Sequence, residues 1–320
     1  MTEMKTNKVV TITLNPALDL TGSLQSLNQG SVSLVEKSNL HAAGKGVNVA
    51  KVLSELGADV TVTGFLGKDN PELFHQLFEQ FGVRNEFVEV SGATRINVKL
   101  VEATGEVSDI NFPGVQVSEE EIKRFEQTLF SLAETHDYFV IADSLPGGVT
   151  PEMCAAWIEK LNQLGKKVFF DSSKAALKAG IAAKPWLIKP NDEELSDFVG
   201  EKLETPEQCK VAAESLGEQG IQNVVVSMGA EGVMWLNQGE WLQSQPPRMH
   251  VVSTVGAGDT LVAGLCWGQM QRMPKTELIG FATALSALAV SQVGVGVSSN
   301  NNYNKSNKKQ KLSSSEKKVP

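Results

Sequence analysis

The chain has 320 residues, 41% hydrophobic and 21% charged, enough to bury the core of one large or two medium globular domains. Its net charge of −8 divides into +5 on residues 298–320 and −13 on the remainder, so an acidic body excludes nucleic acid as the main partner. No apolar run approaches 18 residues, no signal-peptide core opens the chain, and Cys154, Cys209 and Cys266 lack metal-ligand spacing; a soluble cytoplasmic protein with reduced thiols and no membrane partner is expected.

Val9–Leu14 is short and β-branched and predicts a first strand, stopped by Pro16 with Asp19 just beyond it. In open α/β sheets ligands collect outside the carboxyl ends of strands, so Asp19 faces a substrate hydroxyl or braces its own turn. Residues 20–40 read as extended and polar, outside the main core. Gly44-Lys45-Gly46 then feeds a helix carrying Val47, Ala50, Leu53 and Leu56 on one side up to Gly57. This is neither a Walker A loop nor a dinucleotide fingerprint. Lys45 and Asn48 suit a sugar phosphate or sugar hydroxyls, or sit on an ordinary capped helix.

Val60–Phe65 predicts a buried strand and Pro71–Phe81 an amphipathic helix. Thr94–Leu100 alternates, with Thr94, Ile96, Val98 and Leu100 on one face and Arg95, Asn97 and Lys99 on the other, and Val107–Phe112 returns as a hairpin. A basic, polar hairpin face suits a lid over an anion, or is a solvated strand face.

From residue 118 the pattern becomes regular α/β. Helices are predicted over Ser118–Glu134, opened by a Ser118–Glu121 capping box, over Pro151–Leu164, over about 206–219 and over Leu278–Val293. Strands are predicted over Tyr138–Ala142, Val168–Asp171, Trp186–Lys189 and Asn223–Ser227, with a small hairpin of Val233–Leu236 and Glu240–Leu242. Strands alternating with helices imply a doubly wound, mostly parallel sheet. Residues 298–320, rich in Asn, Ser and Lys, predict a disordered polar tail.

The stretch Val251–Gly264 is the chemical centre. Gly256-Ala257-Gly258 lets backbone N–H groups crowd an anion at the start of a helix, and Asp259 sits in the first turn beside it. A carboxylate there can take a proton from a hydroxyl attacking a phosphoryl group; the plain alternative is a tight turn with an Asp near a helix start.

Six separated segments together resemble the ribokinase-like (PfkB) family of carbohydrate kinases over about residues 8–297. They are Asn15-Pro16-Ala17-Leu18-Asp19, Gly44-Lys45-Gly46-x-Asn48, Ser144-Leu145-Pro146, Lys189-Pro190-Asn191-x-x-Glu194, Ser227-Met228-Gly229-x-x-Gly232 and Gly256-Ala257-Gly258-Asp259-Thr260. The resemblance implies a ribokinase-like kinase domain over 1–297, with a small β-sheet lid built from about 17–40 and 92–115 that also makes a homodimer contact. It implies transfer of the ATP γ-phosphoryl group to a sugar phosphate, with Mg²⁺ and a stimulating K⁺. Asp259 would be the general base, with the Gly256, Ala257 and Gly258 backbone as anion hole. Asp19, Gly44, Asn48 and Ser144 would grip sugar hydroxyls, with Asn97 on the substrate side, and Lys45, Arg95 and Lys99 would face the existing phosphate. Lys189, Asn191, Glu194, Ser227, Gly229 and Gly232 would border the nucleotide, Asn191 and Glu194 acting on the metal through its waters; the alternatives are an ordinary helix cap at Asn191 and Glu194 and a plain strand-to-turn segment over Ser227–Gly232. The runs Leu40–Gly46 and Thr94–Leu100 resemble the branch that phosphorylates fructose 1-phosphate at its 6-hydroxyl. Tagatose 6-phosphate or fructose 6-phosphate as substrate, a catalytically weak sugar-phosphate-binding protein and a nucleoside kinase are the alternatives.

Two departures from the family pattern stand out. Relatives place Gly where Asp143 precedes Ser-Leu-Pro, and a carboxylate there is expected to repel the substrate and raise KM. Relatives also continue into a last helix where this chain turns polar after about Val297, which is expected to lower the melting temperature.

Overall fold

The computed structural model describes residues 7–142, 144–292 and 295–297. Asp143, Val293 and the 298–320 tail lie outside the described residues, and the helix expected to reach Val293 ends at Val290.

The chain begins with β1 (Lys8–Thr13), β2 (Ala17–Leu24), β3 (Lys37–Ala43), α1 (Lys45–Glu55), β4 (Asp59–Gly67) and α2 (Glu72–Gln80). Short strands β5 (Arg84–Asn85) and β6 (Val88–Val90) lead to the hairpin of β7 (Arg95–Glu102) and β8 (Val107–Ile110). The regular part follows: α3 (Glu119–Leu132), β9 (Tyr138–Ala142), α4 (Pro151–Gln163), β10 (Lys167–Asp171), α5 (Lys174–Ala182), β11 (Leu187–Ile188), α6 (Asp192–Val199), α7 (Pro206–Glu218) and β12 (Asn223–Ser227). A 3₁₀ turn (Gly229–Glu231), β13 (Val233–Asn237), β14 (Glu240–Ser244), α8 (Ala257–Met270) and α9 (Lys275–Val290) close it.

The large sheet has ten strands. Its main path runs β14-β13-β12-β11-β10-β9-β1-β4-β5, with β6 paired to β4. From β12 through β11, β10, β9 and β1 to β4 every pairing is parallel; the β12–β13 and β13–β14 pairings are antiparallel. A sheet covered on both faces needs strands largely apolar on both faces; β9 to β12 are, while β1 and β4 bury Thr11, Thr13, Thr61 and Thr63 among their apolar residues. Phe139 and Ile141 of β9 and Phe170 of β10 pack with α3 and α4, whereas Val140 and Phe169 pack with α1 and α8.

The path from β1 goes first to β4 on one side and later returns to β9 on the other. That reversal leaves a crevice at the carboxyl ends of β1 and β9, where doubly wound sheets hold their ligands.

Over one side of that crevice stands a second sheet of four strands, ordered β3-β2-β7-β8. The strands expected within 20–40 are β2 and β3, but β3 continues to Ala43 and so joins the lid directly to α1, while residues 25–36 pair with no strand. Two helices have no counterpart in the expected pattern, α5 and α6. Helix α5 is rich in alanine with little polar contrast, and its Gly180 lies so close to Phe170 that an added methyl carbon would meet the ring at 2.2 Å. Burial there is set by the neighbouring strand rather than by the helix's own periodicity. Among the described residues no helix is long and apolar enough to cross a membrane.

Candidate active site

Two helix starts meet at the crevice. Helix α1 begins after Gly44, whose φ of 132° is open only to glycine. Gly46 lies against β1: a methyl carbon there would come within 2.4 Å of Thr13 Oγ1 and 2.7 Å of the Ile12 carbonyl oxygen. The close seat fixes Asn48 in the next turn. Helix α8 begins after Gly256, in the left-handed region at φ 77°. Its first turn is tied down by Thr260 Oγ1 donating to the Gly256 carbonyl (2.7 Å) and Ser286 Oγ donating to the Ala257 carbonyl (2.8 Å). The Ala257 N–H donates to the Thr254 carbonyl at 3.3 Å; the N–H groups of Gly258 and Asp259 stand in the first turn, where no intrahelical acceptor exists.

Asp259 is 7% exposed, and its Oδ2 accepts from Asn48 Nδ2 at 2.8 Å. Burial is the main force on its carboxyl, seconded by the Asp171 charge; together they push it up to about 6 against the pull of Asn48, Lys45 and Lys189. The group is ionised at neutral pH yet basic enough to hold a proton.

Asp171 escaped the sequence reading. It ends β10 and is 2% exposed, with Oδ1 3.4 Å from Lys189 Nζ and 3.5 Å from Lys45 Nζ. The available signal was an Asp directly after an apolar run, in the same strand-end position that drew attention to Asp19. Lys189 is 5% exposed, and a methyl carbon at Gly258 would lie 3.5 Å from its ammonium. Lys45 also lies 3.9 Å from Glu194 Oε1. Lys45 thus stands among the acids of the crevice, whereas Lys99 pairs with Asp109 in the lid at 3.2 Å; the structure does not gather the three expected phosphate contacts in one place.

Asn191 and Glu194 form a capping box at the start of α6. Asn191 Oδ1 accepts from the Glu194 N–H at 2.6 Å, and Glu194 Oε2 accepts from the Asn191 N–H at 3.0 Å. Next to them the Ser227 N–H donates to the Pro190 carbonyl at 3.2 Å, and the Met228 N–H donates to the Gly232 carbonyl at 2.9 Å. The turn carrying Gly229 and Gly232 is thereby stitched to the Lys189–Glu194 segment.

On the lid side, Arg95 reaches the crevice. It donates to the carbonyls of Asn15 (2.8 Å), Pro16 (3.3 Å) and Phe112 (3.3 Å), with Ser144 Oγ at 3.4 Å. Asn15 Nδ2 donates to Ser144 Oγ at 3.0 Å, closing the ends of β1 and β9 together. Asn97 Nδ2 donates to Asp19 Oδ1 at 3.5 Å, and its own Oδ1 accepts from the Phe112 N–H at 3.2 Å. Burial raises the Asp19 carboxyl above its usual range, opposed by His41, Lys99, Asn97 and Arg95.

A buried carboxylate at a helix start, beside two lysines and under a polar lid, is equipped for phosphoryl transfer. Residues 4–302 match the profile of the pfkB family carbohydrate kinases. The chain belongs to this family. A 1-phosphofructokinase of Vibrio cholerae is 69% identical over 91% of this chain and 92% of its own, and one of Escherichia coli is 50% identical over 91% and 93%. Among solved structures, phosphofructokinase-2 from Escherichia coli in complex with potassium superposes with a TM-score of 0.86 at 29% identity, covering 93% of this chain and 97% of that one. The PfkB fold accounts for both sheets, the large one carrying the crevice and the four-stranded one forming the lid.

Proposed function

We propose that the protein transfers the γ-phosphoryl group of ATP to the 6-hydroxyl of fructose 1-phosphate, giving fructose 1,6-bisphosphate. The observation that carries this reading is Asp259: buried, held by Asn48 and seated in the first turn of α8. The 1-phosphofructokinase relatives support the substrate, one of them being 69% identical over 91% of this chain.

The sugar lies between the lid and the carboxyl ends of β1 and β9, its hydroxyls met by Asp19, Asn48 and Ser144 and by the backbone at Gly44. Arg95 braces this wall by holding the Asn15 and Pro16 carbonyls; Lys99 and Asn97 face the substrate from the lid. Asp259 takes the 6-hydroxyl proton as the oxygen attacks phosphorus. Charge growing on the phosphoryl oxygens meets the Gly258 and Asp259 N–H groups and the positive end of α8. Lys189, 3.4 Å from Asp171, carries positive charge to the same spot. The nucleotide runs on toward the Ser227–Gly232 turn.

Among the described residues no group of three or more His, Cys, Asp or Glu forms a metal cage. Mg²⁺ usually takes one or two carboxylates and keeps its waters and the substrate phosphates, and the Asp171 and Glu194 oxygens fit that donor set. Asn191 and Glu194, each with one oxygen committed to the cap, would hold the ion through water. When bound with the nucleotide, Mg²⁺ neutralises phosphoryl charge. K⁺ as an activator rests on the potassium complex of phosphofructokinase-2.

The kinase domain spans residues 1–297 and its lid pairs with a second copy. Ile96, Leu40 and Ile110, on the lid face opposite Arg95, are 41%, 38% and 47% exposed, an apolar surface that a partner lid would cover.

The test is ADP release with Mg²⁺-ATP and fructose 1-phosphate, fructose 6-phosphate or tagatose 6-phosphate. The expected result is the highest kcat/KM on fructose 1-phosphate. A higher value on another sugar corrects the substrate, and binding of sugar phosphate with no turnover on any would make the chain a binding protein.

A further inference from the structure

The polar face of the lid carries a side chain that the site described above does not use. Strand β2 pairs with β3 and β7 so that Asp19 stands across from His41 on one side and Asn97 on the other. Residues directly opposite one another in a sheet share a face, so His41, Asp19 and Asn97 form one row. The neighbouring rows on this face are Ala43-Ala17-Arg95 and Asn39-Thr21-Lys99. Arg95 shows which way the face looks, because its guanidinium reaches the Asn15 carbonyl and the Ser144 hydroxyl in the crevice. Of the charges that draw the Asp19 carboxyl down against burial, His41 is the largest, so ring and carboxylate are near neighbours. His41 is exposed, and it stands three residues before Gly44, where α1 starts with the Asn48 that holds Asp259.

We propose that His41 is a specificity-determining residue of the phosphosugar site: held beside Asp19, its imidazole donates a hydrogen bond to the phosphate already on the substrate. The proposal rests on the kinase reading. The guanidinium of Arg95 already serves three backbone carbonyls, and Lys99 is shared with Asp109. The protonated ring adds a donor on the same face: it carries two N–H groups, one turned to the Asp19 carboxylate and the other free to donate to a phosphate oxygen. Asp19 binds the hydroxyl end of the sugar and His41 its anionic end, so phosphosugars with the phosphate elsewhere lose one of the two contacts.

The experiment compares wild type with His41→Ala and His41→Gln on fructose 1-phosphate and fructose 6-phosphate. His41→Ala is expected to raise KM for fructose 1-phosphate about tenfold, the usual weight of a hydrogen bond to a charged group. It should leave kcat, KM for ATP and the melting temperature near wild type and narrow the preference between the two sugars. His41→Gln, which keeps an N–H donor, should recover part of the loss. A KM within twofold of wild type, or kcat and the KM for ATP moving as far as the sugar KM, would overturn the proposal. Titration calorimetry with fructose 1-phosphate separates the two readings: wild type that binds without turning over fails the kinase reading, while weaker binding by His41→Ala still upholds the contact.

Discussion

Asp259 carries a charge that folding disfavours. Its carboxyl rises from an ordinary 3.8 to about 6, chiefly through burial. Below about pH 4 the group is neutral in both folded and unfolded chains and costs nothing. Above about pH 6 it is ionised in both, and the folded chain alone bears the loss of hydration, about 3 kcal/mol for a shift of this size. Asp259→Asn removes the charge and keeps the shape. It is expected to be more stable than wild type at pH 8, with the difference fading toward pH 4; equal stability at both values by urea denaturation would mean the carboxylate is hydrated in the folded state. Asp259 was legible in the sequence because glycines announce it. Asp171 was not: a single Asp after Val168-Phe169-Phe170 looks like any strand end until the fold brings Lys45 and Lys189 within 3.5 and 3.4 Å of it. Lys45 was read as a phosphate contact from its glycine neighbours, and only the packed structure shows it between Asp171 and Glu194.

At the scale of elements, glycine spacing and capping boxes carried the prediction. The Ser118–Glu121 box starts α3 as expected, with the Ser118 N–H donating to Glu121 Oε2 at 2.8 Å. Burial would raise the Glu121 carboxyl, but hydrogen bonds from Ser118 and the Ser91 N–H together outweigh it and hold the group below its usual range. That stability is present above the ordinary glutamate value and lost as pH falls, so the gap between wild type and Glu121→Gln should close in acid; a constant gap in denaturation midpoint across pH 3–7 would contradict it. The α1 start is tighter than the sequence suggested. Gly46→Ala would force a methyl carbon to 2.4 Å from Thr13 Oγ1, and overpacking of this kind costs about 1–3 kcal/mol. The variant should lose activity as well as stability, because α1 carries Asn48; full activity with unchanged stability would show that the helix start has room to move. Helix α5 stayed hidden because what orders it, Phe170 beneath Gly180, is tertiary; the start of α6 was visible only as the alternative to a metal role for Asn191 and Glu194, and the structure shows that cap.

For the whole molecule, the parallel sheet was legible because strands alternate with helices along the chain, and each helix serves as the crossover that a parallel neighbour needs. The lid was legible from the alternation of Thr94–Leu100, and its two faces now divide the labour. The polar one looks into the crevice, and the proposed dimer would cover the apolar one. Replacing Ile96 and Leu40 by Glu should convert a dimer to a monomer in sedimentation at micromolar protein; wild type sedimenting as a monomer would refute that use of the face. The contribution of Asp143 remains a matter of sequence, with a lower KM for the sugar phosphate expected in Asp143→Gly.

The measurement that bears most directly on the central claim is the pH dependence of kcat/KM on fructose 1-phosphate, for wild type and Asp259→Asn. Wild-type activity should fall on the acid side with a midpoint near 6, where the Asp259 carboxyl takes up its proton, and Asp259→Asn should lose about 10²–10⁴-fold at pH 8. A variant within tenfold of wild type at pH 8 would show that Asp259 is not the base.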